Sequence, residues 1–250
     1  MRFKSPILTG TVALLLIGAS IAPAYASIVL SGTRVVFDAK ASEKTLRLSN
    51  KGPAPSLVQA WLDAGEAQAD RSALSLPFIV SPPMARIDPT KSQTLRIIHT
   101  GEALPQNQES LFWLNVLEVP PKPDTADGRS FLQLSLRTRI KLFYRPPGLP
   151  GNAIEAPGQV TWKVANQAGK TILQAVNPTP FHISFSAIEL ATGSQLVPVQ
   201  DPNTMHPFET RAFSLPKSIV TSPASFVRYK FVNDYGGAGS GEAKLRDASR

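Results

Sequence analysis

The sequence predicts an all-β chain folded as two sandwich domains, on three observations. Short runs of alternating apolar and polar residues recur through Ser27–Arg250, bounded by Pro, Gly, Asn or Asp, the pattern of antiparallel strands and their turns. Helical periodicity is scarce over the same stretch. A cluster at Pro146-Pro147-Gly148-Leu149-Pro150-Gly151 splits the runs into two groups, because adjacent prolines cannot continue a central strand and stiffen a link.

The chain opens with Arg2 and Lys4, then an apolar run from Ile7 to Ile21, then Ala24-Tyr25-Ala26. A cationic start, a short apolar stretch and a small-x-small site make residues 1–26 an expected signal peptide, with Ser27 the start of the exported chain. The run is short and broken by Gly10 and Thr11, which argues against a permanent membrane span.

Residues 27–145 carry seven expected strands: Thr33–Asp38, Lys44–Ser49, Ser56–Leu62, Phe78–Val80, Gln93–His99, Leu111–Val119 and Phe131–Phe143. Seven strands in that length fit one immunoglobulin-like sandwich. The turns between them have their own chemistry, as in Asn50-Lys51-Gly52-Pro53 and Asp88-Pro89-Thr90-Lys91. Residues 146–151 are the expected linker. Residues 152–237 hold fewer and shorter runs, Gln159–Val164, Thr171–Val176, Phe181–Leu190, Thr210–Leu215 and Phe226–Val232, and read as a smaller β-sandwich. Residues 238–250 are Gly-rich and then charged, with Leu245 the only large apolar residue, and read as a frayed tail.

The absence of cysteine removes thiol catalysis and cysteine-ligated metals, and leaves core burial to hold an exported protein together. The formal net charge is +8; Arg2 and Lys4 carry two of it and residues 1–26 hold no Asp or Glu, so Ser27–Arg250 carries +6. A basic surface suits nucleic acid, an anionic membrane or a carboxylate-bearing protein, but no Lys/Arg run is dense enough for nucleic acid, and export argues against it. His99, His182 and His206 lack metal-ligand spacing and read as exposed or packed strand residues. Ser110 lacks a Gly-x-Ser-x-Gly elbow. No cofactor, metal site or catalytic group is implied, and Ser81-Pro82-Pro83 is a candidate cis peptide.

The longest run, Phe131–Phe143, places Leu132, Leu134, Leu136, Ile140 and Leu142 on one face and Gln133, Ser135, Arg137, Arg139 and Lys141 on the other. Two readings stand open. The leucines belong to a half-buried core strand, or the first half is an open edge that offers its backbone and leucines to another chain. Edges are ordinarily blunted by charge, proline or bulges, so one kept apolar is a binding site.

Ile140-Lys-Leu-Phe-Tyr-Arg-Pro146 resembles the corresponding strand end of the PapD-like pilus assembly chaperones. Leu104-Pro-Gln-Asn-Gln-Glu-Ser-Leu-Phe-Trp-Leu-Asn-Val-Leu-Glu-Val-Pro-Pro121 resembles that family's signature, and Thr33–Phe37, Leu57–Trp61, Phe78–Pro83, Gln93–Ile98, Asn177–Phe181 and Asn233–Gly237 are similar to further blocks in the same order. The resemblance implies two immunoglobulin-like sandwiches in an L-shaped arrangement, located in the periplasm. The implied activity is binding, not catalysis: pilus or fimbrial subunits take up the long seventh strand, with Leu132, Leu134 and Leu136 filling the subunit's groove, and are then delivered to an outer-membrane usher. It also implies that Arg34 and Lys141 anchor the subunit's C-terminal carboxylate, and that Glu109, Arg145 and Asp234 form a structural charge network between the domains.

The sequence departs from the family's archetypes in having no cysteine pair and in replacing the last apolar strand with Ala238–Arg250. The short polar loop 120–130 resembles the branch associated with rod-like pili. Two alternatives are a secreted β-sandwich binding module and a fibre subunit. Two domains, and a start at Ser27-Ile-Val-Leu-Ser-Gly too short for a donor segment, weigh against the fibre subunit. An uncovered apolar edge also implies weak self-association of the free protein.

Overall fold

The computed structural model describes residues 27–65, 76–122, 133–167, 169–193, 195–216, 219, 222 and 224–246. The expected signal peptide at 1–26, Leu132, most of the 120–130 loop and residues 247–250 lie outside them.

The first sandwich is built from β1 (Ile28–Leu30), β2 (Arg34–Asp38), β3 (Glu43–Asn50), β4 (Ser56–Asp63), β5 (Phe78–Ser81), β6 (Met84–Ile87), β7 (Ser92–His99), β8 (Ser110–Val119) and β9 (Leu136–Arg145). One sheet runs β1-β3-β7-β5 and the other β2-β9-β8-β4-β6. Alternation along β4, β8 and β9 sends Val58, Ala60, Phe112, Leu114, Val116, Ile140 and Leu142 inward against Leu46, Leu48, Leu95 and Ile97 of the facing sheet. The odd-numbered residues of the same strands, Asp63, Trp113, Arg139 and Lys141 among them, therefore project from the outer face. Strands β1 and β6 are short edge elements that alternation did not single out. The peptide Ser81–Pro82 is cis.

The second sandwich follows the one-turn helix α1 (Ala156–Gln159). Its strands are β10 (Thr161–Gln167), β11 (Lys170–Val176), β12 (Ile183–Thr192), β13 (Gln195–Pro198), β14 (Thr204–Met205), β15 (Thr210–Ser214), β16 (Phe226–Val232) and β17 (Ala238–Lys244). They form sheets β10-β11-β15 and β13-β12-β16-β17, with β14 paired to β12. Trp162, Leu173, Ile188, Leu190 and Met205 are buried between them. Each sandwich also buries one asparagine that ties a turn. Asn50 donates to the carbonyls of Ala54 and Ile87 at 2.8 and 2.9 Å, and Asn177 to those of Phe181 and His206, both at 2.8 Å.

Two expectations need correction. The stretch 238–250 is not frayed throughout, because Ala238–Lys244 is β17, fully registered against Phe226–Val232 of β16. Its inward positions are Gly239, Gly241, Ala243 and Leu245, and the rings of Phe231 and Tyr229 lie over the two glycines. A Cβ at Gly239 would come within 2.4 Å of the Phe231 ring and one at Gly241 within 2.6 Å of the Tyr229 ring, so the aromatic side chains supply the apolar cover that a strand side chain ordinarily provides. Alternation cannot detect a strand whose inward residues are glycine. The second correction concerns the long strand: β9 begins at Leu136, and residues 133–135, including Leu134, precede it without strand structure.

Candidate functional site

The site grows from the asymmetry of β9. Along Leu136–Tyr144 one edge is bonded to β8, whereas the other edge is bonded to β2 only from Lys141 onward. Among the described residues, no strand covers the second edge of Leu136–Ile140. Leu136 falls on the face that buries Ile140 and Leu142 further along, yet it is 53% exposed, and Leu134, just before the strand, is 72% exposed. Main-chain groups and leucines are thus presented together, the combination an added strand requires.

The open edge ends at a pair of cations. Arg34, the first residue of β2, is the register partner of Lys141 in the parallel pairing of β2 with β9. Both side chains reach the second sandwich: Arg34 Nη1 donates to the Val232 carbonyl at 2.9 Å, and Lys141 Nζ donates to Ser184 Oγ at 3.2 Å and to Thr204 Oγ1. All of these acceptors are neutral. Burial and the nearby Arg34 charge push the Lys141 ammonium down to about 8 from its ordinary 10.5. Burial also lowers Arg34, partly offset by the charge of Asp234, and Arg34 Nε is buried with no hydrogen-bond partner. Two crowded, desolvated cations and a donor without an acceptor make a site for an anion, and a carboxylate suits both groups.

Glu109, Arg145 and Asp234 meet across the domain boundary. Arg145 Nε donates to Glu109 Oε1 at 2.6 Å, and its Nη1 and Nη2 donate to the two Asp234 oxygens at 2.7 and 3.1 Å. Burial opposes the charge on Arg145, but the two carboxylates outweigh it and raise its pKa. The Glu109 side chain is 1% exposed and also accepts the His182 backbone N–H at 2.7 Å. His182 Nδ1 lies 3.3 Å from the same oxygen, and its Nε2 lies 3.2 Å from His206 Nδ1. Burial first, and His182 second, lower the His206 pKa.

The structure therefore brings Arg34 together with Lys141, and Glu109 with Arg145 and Asp234, and leaves Leu134 and Leu136 uncovered. Sequence reasoning missed His182, Ser184, His206 and Thr204. Glu109 and His182 are 73 positions apart, and no local pattern marks a contact at that range. Among the described residues, no helix is long and apolar enough to cross a membrane, and no group of His, Cys, Asp and Glu is arranged to hold a metal.

Comparison with known proteins bears on the whole chain. Residues 27–150 match the family described as pili and flagellar-assembly chaperone, PapD N-terminal domain, and residues 155–243 match the pili assembly chaperone PapD, C-terminal domain. The probable fimbrial chaperone YadV of Escherichia coli K12 is 42% identical over 223 residues, 88% of this chain and 90% of that one. The chaperone protein FimB/FhaD of Bordetella pertussis is 40% identical over 239 residues, 92% of this chain and 93% of that one. Among solved structures, the Pseudomonas aeruginosa CupB2 chaperone superposes with a TM-score of 0.73 at 37% identity, covering 87% of this chain and all of its own. The SafB chaperone of Salmonella enterica, solved in complex with the SafA pilin, gives a TM-score of 0.72 at 27% identity, covering 90% of this chain and 99% of its own.

Proposed function

The chain belongs to the PapD-like family of pilus assembly chaperones, and from that premise we propose that it captures pilus subunits in the periplasm on the open edge of β9. On this reading it holds the subunit's C-terminal carboxylate between Arg34 and Lys141, passes the complex to an outer-membrane usher and catalyses no reaction. The observation that carries the reading is the pair of partly buried cations at the closed end of an open apolar edge.

The register sets the direction of binding. Beyond Lys141 the edge is occupied by β2, so an incoming strand has only the Leu134–Ile140 side. A strand whose terminal carboxylate reaches Arg34 and Lys141 from that side runs parallel to β9. Main-chain hydrogen bonds to β9 supply affinity that tolerates sequence variation, and Leu134 and Leu136, with Leu132 before them, cover the subunit's exposed core. The carboxylate then meets two cations already partly desolvated by folding, and it compensates their charge. Glu109, Arg145 and Asp234 hold the second sandwich where Ser184, Thr204 and Val232 brace the two anchor side chains.

The test is co-purification of subunits from the periplasm of the native host on tagged protein. Wild type is expected to recover subunits stoichiometrically, whereas Arg34→Ala/Lys141→Ala and Leu134→Glu/Leu136→Glu each recover none. Equal recovery by the anchor variant would reject the carboxylate assignment, equal recovery by the leucine variant would reject the edge, and no recovery by wild type in cells expressing subunits would reject the function.

A further inference from the structure

Lys141 stands among groups that neither neutralise it nor use all of its protons. Its Nζ donates to Ser184 Oγ and Thr204 Oγ1, hydroxyls 3.3 Å apart on the paired strands β12 and β14. It lies 5.5 Å from the centroid of the Trp113 ring on one side, and Arg34 is its register partner on the other. An ammonium has three N–H donors, whereas a neutral amine has two and a lone pair. Two hydroxyl acceptors therefore match the amine, and no acceptor among the described residues takes a third hydrogen bond from Nζ.

The neighbouring carboxylates are engaged elsewhere. Asp63 shares the row of Lys141 across Trp113, but it binds Arg137 and Arg139 and accepts from Asn115 Nδ2 at 2.7 Å. Those arginines lie over Trp61 and Trp113, 5.2 and 4.3 Å from the ring centroids, and Asn115 Oδ1 accepts from Arg137 Nε at 2.9 Å. Asp234 and Glu109 are both bound to Arg145. Burial, and the Arg34 charge after it, hold the Lys141 ammonium down to about 8. Roughly one Lys141 in ten is then neutral at pH 7, against roughly one in three thousand for a lysine at its ordinary 10.5. A desolvated lysine beside a second cation is an activated amine nucleophile.

We propose that Lys141 is a carbamylation site, which takes up carbon dioxide reversibly and so gives the anchor of the free protein an anion of its own. The amine lone pair attacks the carbon of CO2 and a C–N bond forms. One C=O π pair moves onto oxygen and one amine proton leaves to solvent, so that R–NH2 + CO2 gives R–NH–COO− + H+ with nothing oxidised or reduced. The group at Lys141 thereby turns from a positive to a negative one. Its oxygens lie beside the Arg34 guanidinium, whose Nε is buried without a hydrogen-bond partner, and beside two hydroxyls able to donate. A carbamate on an exposed lysine has no such partners. The consequence for capture rests on the anchor reading above: the carbamate occupies the cation pair, and a subunit carboxylate binds once carbon dioxide has left.

The experiment incubates the protein spanning Ser27–Arg250 with isotopically labelled bicarbonate at neutral pH, traps carbamates with a trialkyloxonium salt and locates them by peptide mass spectrometry. Lys141 is expected to carry at least about tenfold more label than any other lysine, with the α-amine of Ser27, which titrates near neutrality, as the internal control for the reaction. An even spread over the lysines, or label on the α-amine alone, would overturn the proposal, and neither outcome requires a variant to fold. Fluorescence anisotropy of a strand peptide with a free C-terminal carboxylate tests the consequence. Wild-type affinity should fall about threefold or more when bicarbonate replaces chloride at equal pH and ionic strength, and Lys141→Arg should lose that sensitivity. A fall that persists in Lys141→Arg would assign the competition to the free bicarbonate ion and count against the proposal. If no peptide binds wild type without bicarbonate, the anchor reading fails, while the trapped label still decides the carbamate.

Discussion

Arg34 and Lys141 stand directly opposite each other across the parallel pair β2–β9, two cations side by side where the open edge of β9 stops. Each is braced by the second sandwich through a neutral oxygen, so both positive charges are desolvated without an anion held between them.

That arrangement gives binding a pH dependence with a definite sign. Lys141 titrates at about 8 in the folded protein and at its ordinary 10.5 when unfolded. Between those values the unfolded chain holds the extra proton, so folding stability rises with pH across that window and is flat below it with respect to this group. A bound carboxylate favours the ammonium, so above about 8 binding takes up a proton. Subunit affinity should therefore fall as pH rises past that point, by at most about tenfold per unit for one linked proton. Isothermal titration with a free-carboxylate strand peptide measures it, and Lys141→Arg should flatten the profile. An unchanged slope in that variant would assign the dependence to another group.

The charge network between the domains should be costly to break at its buried member. Glu109 is nearly inaccessible and binds both Arg145 and the His182 backbone. Glu109→Ala leaves Arg145 with Asp234 alone and the His182 backbone N–H without its acceptor, and is expected to destabilise by about 3 kcal/mol in urea unfolding. Asp234 is more exposed and retains solvent as an alternative partner for Arg145, so Asp234→Asn should lose distinctly less. Equal losses would mean that burial of Glu109 is not what makes the network matter.

Strand β17 should depend on the absence of side chains at Gly239 and Gly241. A Cβ at Gly241 would sit 2.4 Å from the Tyr229 hydroxyl oxygen and 2.6 Å from Cζ. Gly241→Val is expected to destabilise by about 1–3 kcal/mol through overpacking, whereas Ser240→Val, on the exposed side of the strand, should stay within about 0.5 kcal/mol. Thermal unfolding followed by calorimetry distinguishes them. Equal tolerance would show that the rings move aside freely.

The sequence by itself determined the all-β class and the leucine alternation of the long strand, and it offered five charged residues, Arg34, Glu109, Lys141, Arg145 and Asp234, as candidates. Class and alternation are local properties, written in side-chain period and turn chemistry. The charged residues stood out through the family resemblance, because a single basic residue on a strand is ordinarily a solvated one. Tertiary structure alone decided that β2 begins opposite Lys141 and closes the edge there, that Asp63 and Asn115 lock Arg137 and Arg139 against Trp61 and Trp113, and that Glu109 meets His182 across the domain boundary. These relations join residues far apart in the chain through strand register and domain docking, and no window of neighbouring residues contains them. Strand β17 has the same cause in reverse. Its inward glycines carry no apolar signal, and the cover they need is supplied by Phe231 and Tyr229 of the neighbouring strand.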